Sequence, residues 1–278
     1  MKLLRVGNKG MEKPAVLGEN GIVRDLSSVV SDISGDTLDD ATLAKIAAID
    51  LSALPEIGAD IRIGPCVGNV GKFICVGLNY SDHAKESGME SPTEPVLFMK
   101  ATSAISGAND NVEIPPGSGK SDWEVELGLV IGKEAKYVTE EDAMGYIAGY
   151  CVINDLSERH FQLERGGQWV KGKSCDTFGP TGPWLVTRDE IQDIKNVSMW
   201  LDVNGHRYQD GSTQTIIFDP AVIVSYISQF MSLQPGDIIS TGTPPGVGLG
   251  QNPPVYLKRG DKISLGIEGL GEQHQVCV

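Results

Sequence analysis

The 278 residues include only five cysteines (Cys66, Cys75, Cys151, Cys175 and Cys277), scattered and without a CxxC pair. That spacing argues against a disulfide framework and predicts reduced thiols in a cytoplasmic protein. No stretch approaches the roughly 18 apolar residues of a membrane span. The opening MKLLRVGNKGMEKP also lacks the apolar centre of a signal peptide. Positive charge is scarce: 23 Lys and Arg stand against 37 Asp and Glu, a net charge of −14. Nucleic acid and anionic membrane are therefore excluded as expected partners. HExxH and GxSxG are absent, and no unit of 20–50 residues repeats.

What is present is glycine, 34 residues of it, which suits a fold of strands and turns better than a helical bundle. The stretch Asp122–Gly132, DWEVELGLVIG, alternates strictly, with Asp122, Glu124, Glu126 and Gly128 on one parity and Trp123, Val125, Leu127 and Leu129 on the other. A period of two predicts a strand with one buried face. Glu124 and Glu126 then share a face, roughly 6–7 Å apart at about 3.3 Å rise per residue. Carboxylates that close repel unless a cation or a shared proton lies between them. The competing reading is an acidic strand edge that discourages edge pairing.

Residues 1 to about 69 read as a small N-terminal unit of short strands and one helix, Thr37–Ile49, and carry no chemical signature. An apolar strand, Lys72–Gly77, precedes LNYSDHAKESG. His83 and Glu86 stand three apart there and share a face in a short helix ended by Gly88. Gly119-Lys120-Ser121 imitates the end of a phosphate loop, but Ile114 stands where the first glycine is required and no helix follows. Tyr146–Asn154 reads as a buried strand delivering Asp155, followed by a long polar loop containing Arg159, Gln162 and Lys173. Asn204-Gly205 predicts a hairpin turn. Asp219-Pro220 predicts a helix start, with Val222, Ile223, Tyr226, Ile227, Phe230 and Met231 as its core face. The glycines of TGTPPGVGLG expose backbone N–H groups that suit a carboxylate.

Five segments, GLNYSDHAKE, DWEVELGLVIG, INDLSERHFQ, KGKSCDTFGPTGPWLVT and STGTPPGVG, occur in an order that resembles the fumarylacetoacetate hydrolase family from about residue 70 to the end. The resemblance implies a mainly β (α+β) fold of rolled and sandwiched sheets. Its catalytic domain spans 70–278, after a small α+β domain at 1–69, and the assembly is a homodimer. It implies Mg²⁺ (Mn²⁺ or Ca²⁺ as substitutes) held by Glu124, Glu126 and Asp155, and hard oxygen ligands suit these ions. His83, oriented by Glu86, is then the base that activates water against the distal carbonyl of a 2,4-dioxo acid. Lys173 and Gln162 stabilise developing negative charge, and Arg159 and Thr243 hold substrate carboxylate. The products are pyruvate and a carboxylic acid.

Two positions depart from the common pattern. Leu78 stands where acylpyruvate- and oxaloacetate-cleaving relatives often carry Arg, and Cys175 replaces a frequent aromatic residue. The motif wording is most similar to bacterial hydrolases of 2,4-diketo-3-deoxy sugar acids and to members labelled ureidoglycolate lyase. The expected activity is thus Mg²⁺-dependent C–C hydrolysis of a 2,4-dioxo acid, a diketo-deoxy sugar acid or an acylpyruvate. Ureidoglycolate elimination, oxaloacetate decarboxylation and hydroxymuconate-type isomerisation are alternatives on the same site. A non-catalytic metal-binding homologue is disfavoured by the complete set of His83, Glu86, Lys173 and carboxylates.

Overall fold

A computed structural model describes residues 1–86 and 90–278. In chain order the N-terminal segment gives β1 (Lys2–Val6), β2 (Lys13–Leu17), β3 (Val23–Asp25), α1 (Asp40–Ala47) and β4 (Glu56–Ile57). Then come β5 (Phe73–Gly77), α2 (Ser81–Glu86), β6 (Val96–Lys100), β7 (Ile105–Gly107), β8 (Ser121–Asp122) and β9 (Val125–Ile131). The middle of the chain holds α3 (Glu140–Ala143), β10 (Ile147–Asn154), β11 (Ser157–Glu158), α4 (Arg159–Leu163), α5 (Val170–Lys173) and β12 (Gly179–Thr187). The hairpin β13 (Ser198–Val203) and β14 (His206–Ser212), α6 (Pro220–Ser228), β15 (Ile238–Ser240), β16 (Lys262–Ile267) and β17 (Gly271–Val276) complete it.

An eleven-stranded sheet runs β4-β3-β2-β1-β12-β10-β9-β15-β5-β6, with β7 also paired to β12. The four N-terminal strands therefore extend the central sheet through β1·β12, and the boundary expected at 69/70 falls in the connection between β4 and β5. A four-stranded sheet, β14-β13-β16-β17, packs over one face, where Leu127, Leu129 and Tyr150 meet Met199, Leu201 and Leu265. On the other face Val130, Ile153 and Leu185 meet Leu26, Ile33, Leu38 and Ile46 of the N-terminal segment. The result is a β-rich α+β sandwich, as the sequence predicts.

The expectation of a single buried face for 122–132 does not hold. Every residue of β9 is buried, because β9 lies between β10 and β15 with a core on each side. Its apolar parity faces the four-stranded sheet. The other parity begins with the two glutamates and continues through Gly128 and Val130 into the second core. At Gly128 a Cβ would meet Ile153 Cδ1 at 2.6 Å and Cys151 Sγ at 2.7 Å, so only glycine admits this packing.

Capping explains the helix starts. Asp39 accepts from the Ala41 and Thr42 amides, so α1 starts at Asp40 rather than Thr37. Thr139 caps α3. Asp219 caps α6 with Pro220 in its first turn, as predicted. The buried face of α6 is Ile223, Val224 and Ile227. Phe230 lies beyond the helix end and is 63% exposed, which corrects the longer apolar face. Asn204 and Gly205 both take positive φ, 53° and 79°, the pair a type I′ turn requires. The predicted helix stop at Gly88 lies outside the described residues.

Candidate active site

The site forms where two adjacent strands break together. β9 and β10 are antiparallel with Val125 opposite Asn154, and β8 and β11 resume with Asp122 opposite Ser157. Between these ladders the Asp155 amide donates to the Glu124 carbonyl at 2.9 Å. Antiparallel register thus sets Asp155 across from Glu124, with Glu126 two residues along the same strand. One oxygen of each of the three carboxylates lies within 4.8 Å of the others, and all three residues are buried.

Each carboxylate has its own supports. Glu124 accepts from Arg159 Nη2 at 2.7 Å and Lys173 Nζ at 2.5 Å. Asp155 accepts from Lys173 at 2.7 Å and from Lys100 at 2.5 Å. Glu126 accepts from the Ser240 hydroxyl at 2.5 Å and the Gly242 amide at 2.9 Å, and among the described residues no cation bonds it. Burial pushes the Glu124 carboxyl up, but the charges of Lys173 and Arg159 outweigh it and hold it at about 2. At Glu126 burial and the charges of Asp155 and Glu124 act together, and its carboxyl is pushed well above the ordinary range. Burial lowers and the two facing carboxylates raise Lys173, and the carboxylates win, so it stays an ammonium.

A fourth carboxylate, Asp122, is fully buried beside this group. It accepts from Arg159 Nε at 2.8 Å and from the amides of Trp123, Gly248 and Leu249 at 2.8, 2.6 and 3.0 Å. With Glu126 ionised, as a bound cation would require, four carboxylates face three buried cations, Lys100, Arg159 and Lys173, which leaves one net negative charge. A dication would turn that balance to one positive charge, suited to an anionic substrate. The donor set, hard oxygens converging on one point with Glu126 under-compensated, fits Mg²⁺, Mn²⁺ or Ca²⁺.

The His83–Glu86 pair comes from α2. β5 ends at Gly77, Leu78 turns through φ 53°, and Asn79 is clamped by side-chain bonds to the Thr241 and Phe218 carbonyls and the Phe218 amide. This clamp ties the start of α2 to the end of β15. His83 Nδ1 is 3.0 Å from Glu86 Oε2, and Glu86 accepts from the Gly246 amide at 3.1 Å. The loop 242–250 thus does present N–H groups to carboxylates, as its glycines suggest. Among the described residues these carboxylates are the protein's own Glu126, Glu86 and Asp122.

A cavity of about 460 Å³ opens over this group. Of the nine predicted site residues, His83, Glu86, Glu124, Glu126, Arg159, Gln162, Lys173 and Thr243 line it, and Asp155 lies beneath, fully buried. The polar loop after Asp155 is folded into β11, α4 and α5, which explains how it delivers three of them. The Glu158 side chain accepts from the His160 amide and starts α4, and Lys173 ends α5. Two predicted residues are already engaged within the protein. Arg159 bonds Asp122, Glu124 and Gln162, and the Thr243 hydroxyl donates to the Val125 carbonyl and accepts from Gln209.

Sequence reasoning missed Lys100, Asp122 and Gln209. Lys100 ends an ordinary-looking strand, and only its pairing with a residue 55 positions away reveals it. Asp122 stood in view at the head of the alternating strand, and its parity with Glu124 was the available signal.

Comparison with known proteins places the chain in a family. Residues 72–278 match the fumarylacetoacetate (FAA) hydrolase C-terminal family model. The chain is 60% identical over 277 residues to a Burkholderia multivorans protein whose name goes no further than an unverified hydrolase, covering 99% of this chain and 98% of that one. It superposes on fumarylacetoacetate hydrolase from Exiguobacterium antarcticum with TM-score 0.88 and 36% identity, covering 100% of this chain and 99% of the other. With maleylpyruvate hydrolase from Sphingobium sp. SYK-6, in complex with manganese(II) and pyruvate, the TM-score is 0.82 at 29% identity, over 100% and 99% of the two chains. With the match covering most of the chain and the fold shared from end to end, this protein belongs to the fumarylacetoacetate hydrolase family.

Proposed function

We propose that this enzyme hydrolyses a carbon–carbon bond in a 2,4-dioxo acid, releasing pyruvate and a carboxylic acid, with Mg²⁺ or Mn²⁺ held by Glu124, Glu126 and Asp155. The observation that carries the reading is the convergence of three buried carboxylates at the base of a cavity that His83, Glu86 and Lys173 also line. The complex of the Sphingobium neighbour with manganese(II) and pyruvate supports both the ion class and the product.

Glu86 accepts a hydrogen bond from His83 Nδ1–H and is itself held by the Gly246 amide, so Nε2 of His83 is left as the base. Water loses a proton to Nε2 and its oxygen attacks the C4 carbonyl. The C3–C4 bond breaks, its electron pair forms the enolate of pyruvate, and the imidazolium returns the proton to C3. Lys173 and Gln162 stabilise negative charge on the oxygens. A dication on the three carboxylates supplies Lewis-acid stabilisation of that charge. Arg159, bonded to Asp122 and Glu124, orients Glu124 and adds positive potential to the substrate's carboxylate end.

Pyruvate release is to be measured with 2,4-dioxo acids, ureidoglycolate and oxaloacetate. Pyruvate formed from a dioxo acid, abolished by chelator and by His83→Ala, is the expected result. Glyoxylate from ureidoglycolate without dioxo-acid cleavage would overturn the reaction and leave the metal site standing.

A further inference from the structure

The cavity is chemically lopsided. Apart from the Trp169 indole N–H, its polar side-chain groups belong to the network just described, and most are saturated within it. Glu124 has cations on both oxygens, Arg159 has three carboxylate or amide partners, and the Thr243 hydroxyl both donates and accepts. Among the described residues, the polar side-chain atoms of this lining left without a protein partner are His83 Nε2, Gln162 Nε2, Glu126 Oε1 and the Trp169 indole Nε1. The first three are needed for the reacting head of a dioxo acid, which leaves the indole N–H as the single free side-chain donor on the rest of the lining among the described residues. The rest of the lining is hydrocarbon and aromatic: Val76, Leu78, Phe98, Leu163, Trp169 and Leu249 among it. Leu163 and Leu249 are 46% and 39% exposed, so the apolar surface reaches the mouth of the cavity.

Phe98 and Trp169 form the firmest part of this wall. Their rings meet edge to face at 5.3 Å, and the Lys173 ammonium sits 4.9 Å over the Phe98 ring. Trp169 lies so close to Gly77 that a Cβ there would come within 2.8 Å of its ring. Trp169 is also the first residue of the turn that carries Lys173, since its carbonyl accepts the amides of Gly172 and Lys173. A substituent resting on Trp169 thus presses on the turn that holds the charge-stabilising lysine.

We infer that the substrate's tail, beyond the bond that is cleaved, is apolar and flat, an alkenyl, aryl or short alkyl group rather than a polyhydroxylated chain, and that Trp169 and Phe98 are the specificity-determining residues. The inference rests on the dioxo-acid reading for the placement of the head. The several hydroxyls of a polyhydroxylated tail laid against this wall would lose water and find, among the side chains, one donor at most, the Trp169 indole N–H. A hydrophobic wall discriminates by roughly one to two orders of magnitude for such changes.

Binding tests the tail independently of turnover. Two uncleavable 2-oxo acids of matched length, 4-phenyl-2-oxobutanoate and a polyhydroxylated 2-oxo-3-deoxy acid, are titrated calorimetrically into the full-length protein with Mn²⁺. The aryl acid should bind at least about tenfold tighter, and Trp169→Ala should erase most of that gap while Trp169→Phe keeps it. Equal binding, tighter binding of the hydroxylated acid, or binding of neither would overturn the inference. Cleavage is scored separately by pyruvate release from an aryl or alkenyl acylpyruvate. Tight binding of the aryl acid with no cleavage of any dioxo acid would leave the tail assignment standing and remove the proposed reaction.

Discussion

Lys100 has no exposed side-chain surface and spends its ammonium on Asp155 and the Leu156 carbonyl. An ammonium so enclosed exists because the carboxylate beside it compensates the cost of leaving water, and the dependence is mutual. Lys100→Met should weaken Mn²⁺ binding about 10–100-fold, because Asp155 loses the group that orients it. It should also lower folding stability by about 3–5 kcal/mol, since a buried charge loses a partner. Calorimetric titration and denaturant unfolding measure the two effects, and unchanged Mn²⁺ affinity would show that Lys173 alone fixes Asp155. Asp122 occupies the matching position on the other flank. Asp122→Asn keeps the shape but removes the charge facing Arg159, and should reduce kcat/KM by about 10–100-fold, the cost typical of a lost charged bond.

At the scale of elements, the loop 242–250 matters more than its lack of helix or strand suggests. Gly246 adopts φ 104°, and a Cβ there would lie 1.9 Å from the Tyr208 carbonyl oxygen. Its amide holds Glu86, so Gly246→Ala must displace the loop and release the residue that orients His83. The expected outcome is a loss of turnover of at least about 100-fold, the size of a general-base contribution, with Mn²⁺ affinity close to wild type. Outside the cavity lining, α6 offers a control of ordinary size. Asp219→Ala removes an N-cap that accepts from two amides and should cost about 0.5–2 kcal/mol in urea unfolding without changing KM.

Over the whole molecule, the N-terminal segment is held to the rest by more than the β1·β12 pairing. Arg62 bonds Glu12 on one side and Asp110 on the other. Burial pushes the Asp110 carboxyl up, but the bonds from Arg62 and the Gly107 amide outweigh it and leave it below its ordinary value. Glu12 is lowered in the same way, burial opposing and Arg62 prevailing. Carboxyls lowered in the folded state add stability above the ordinary carboxylate range, and that stability is lost as pH falls through their folded values. Unfolding midpoints should therefore drop on acidification below about pH 4, and drop less steeply in Arg62→Met, which starts lower at pH 7. An identical slope in the variant would remove this network from the account. No helix among the described residues is long and apolar enough to cross a membrane. We propose the homodimer that the resemblance implies, and light scattering on the purified protein checks it.

The sequence by itself determined the elements whose cause is local. Period-two alternation marked β9, Asn204-Gly205 marked its hairpin, Asp219-Pro220 marked the start of α6, and the order of five motifs marked the family. Parity, visible in one dimension, put Glu124 and Glu126 on one face, and the family resemblance joined Asp155 to them. Tertiary structure decided everything that depends on what lies across a gap. Burial of both faces of β9 needed the N-terminal segment packed behind it, and the exposure of Phe230 needed the end of α6. The partners of Asp155, Glu124 and Glu86 come from residues 49 to 160 positions away in cases such as Lys100, Lys173 and Gly246, separations no spacing rule encodes. Charge balance at the site is such a property. It is a sum over groups brought together by folding, so Lys100 and Asp122 became part of it only when β6, β8 and α4 met.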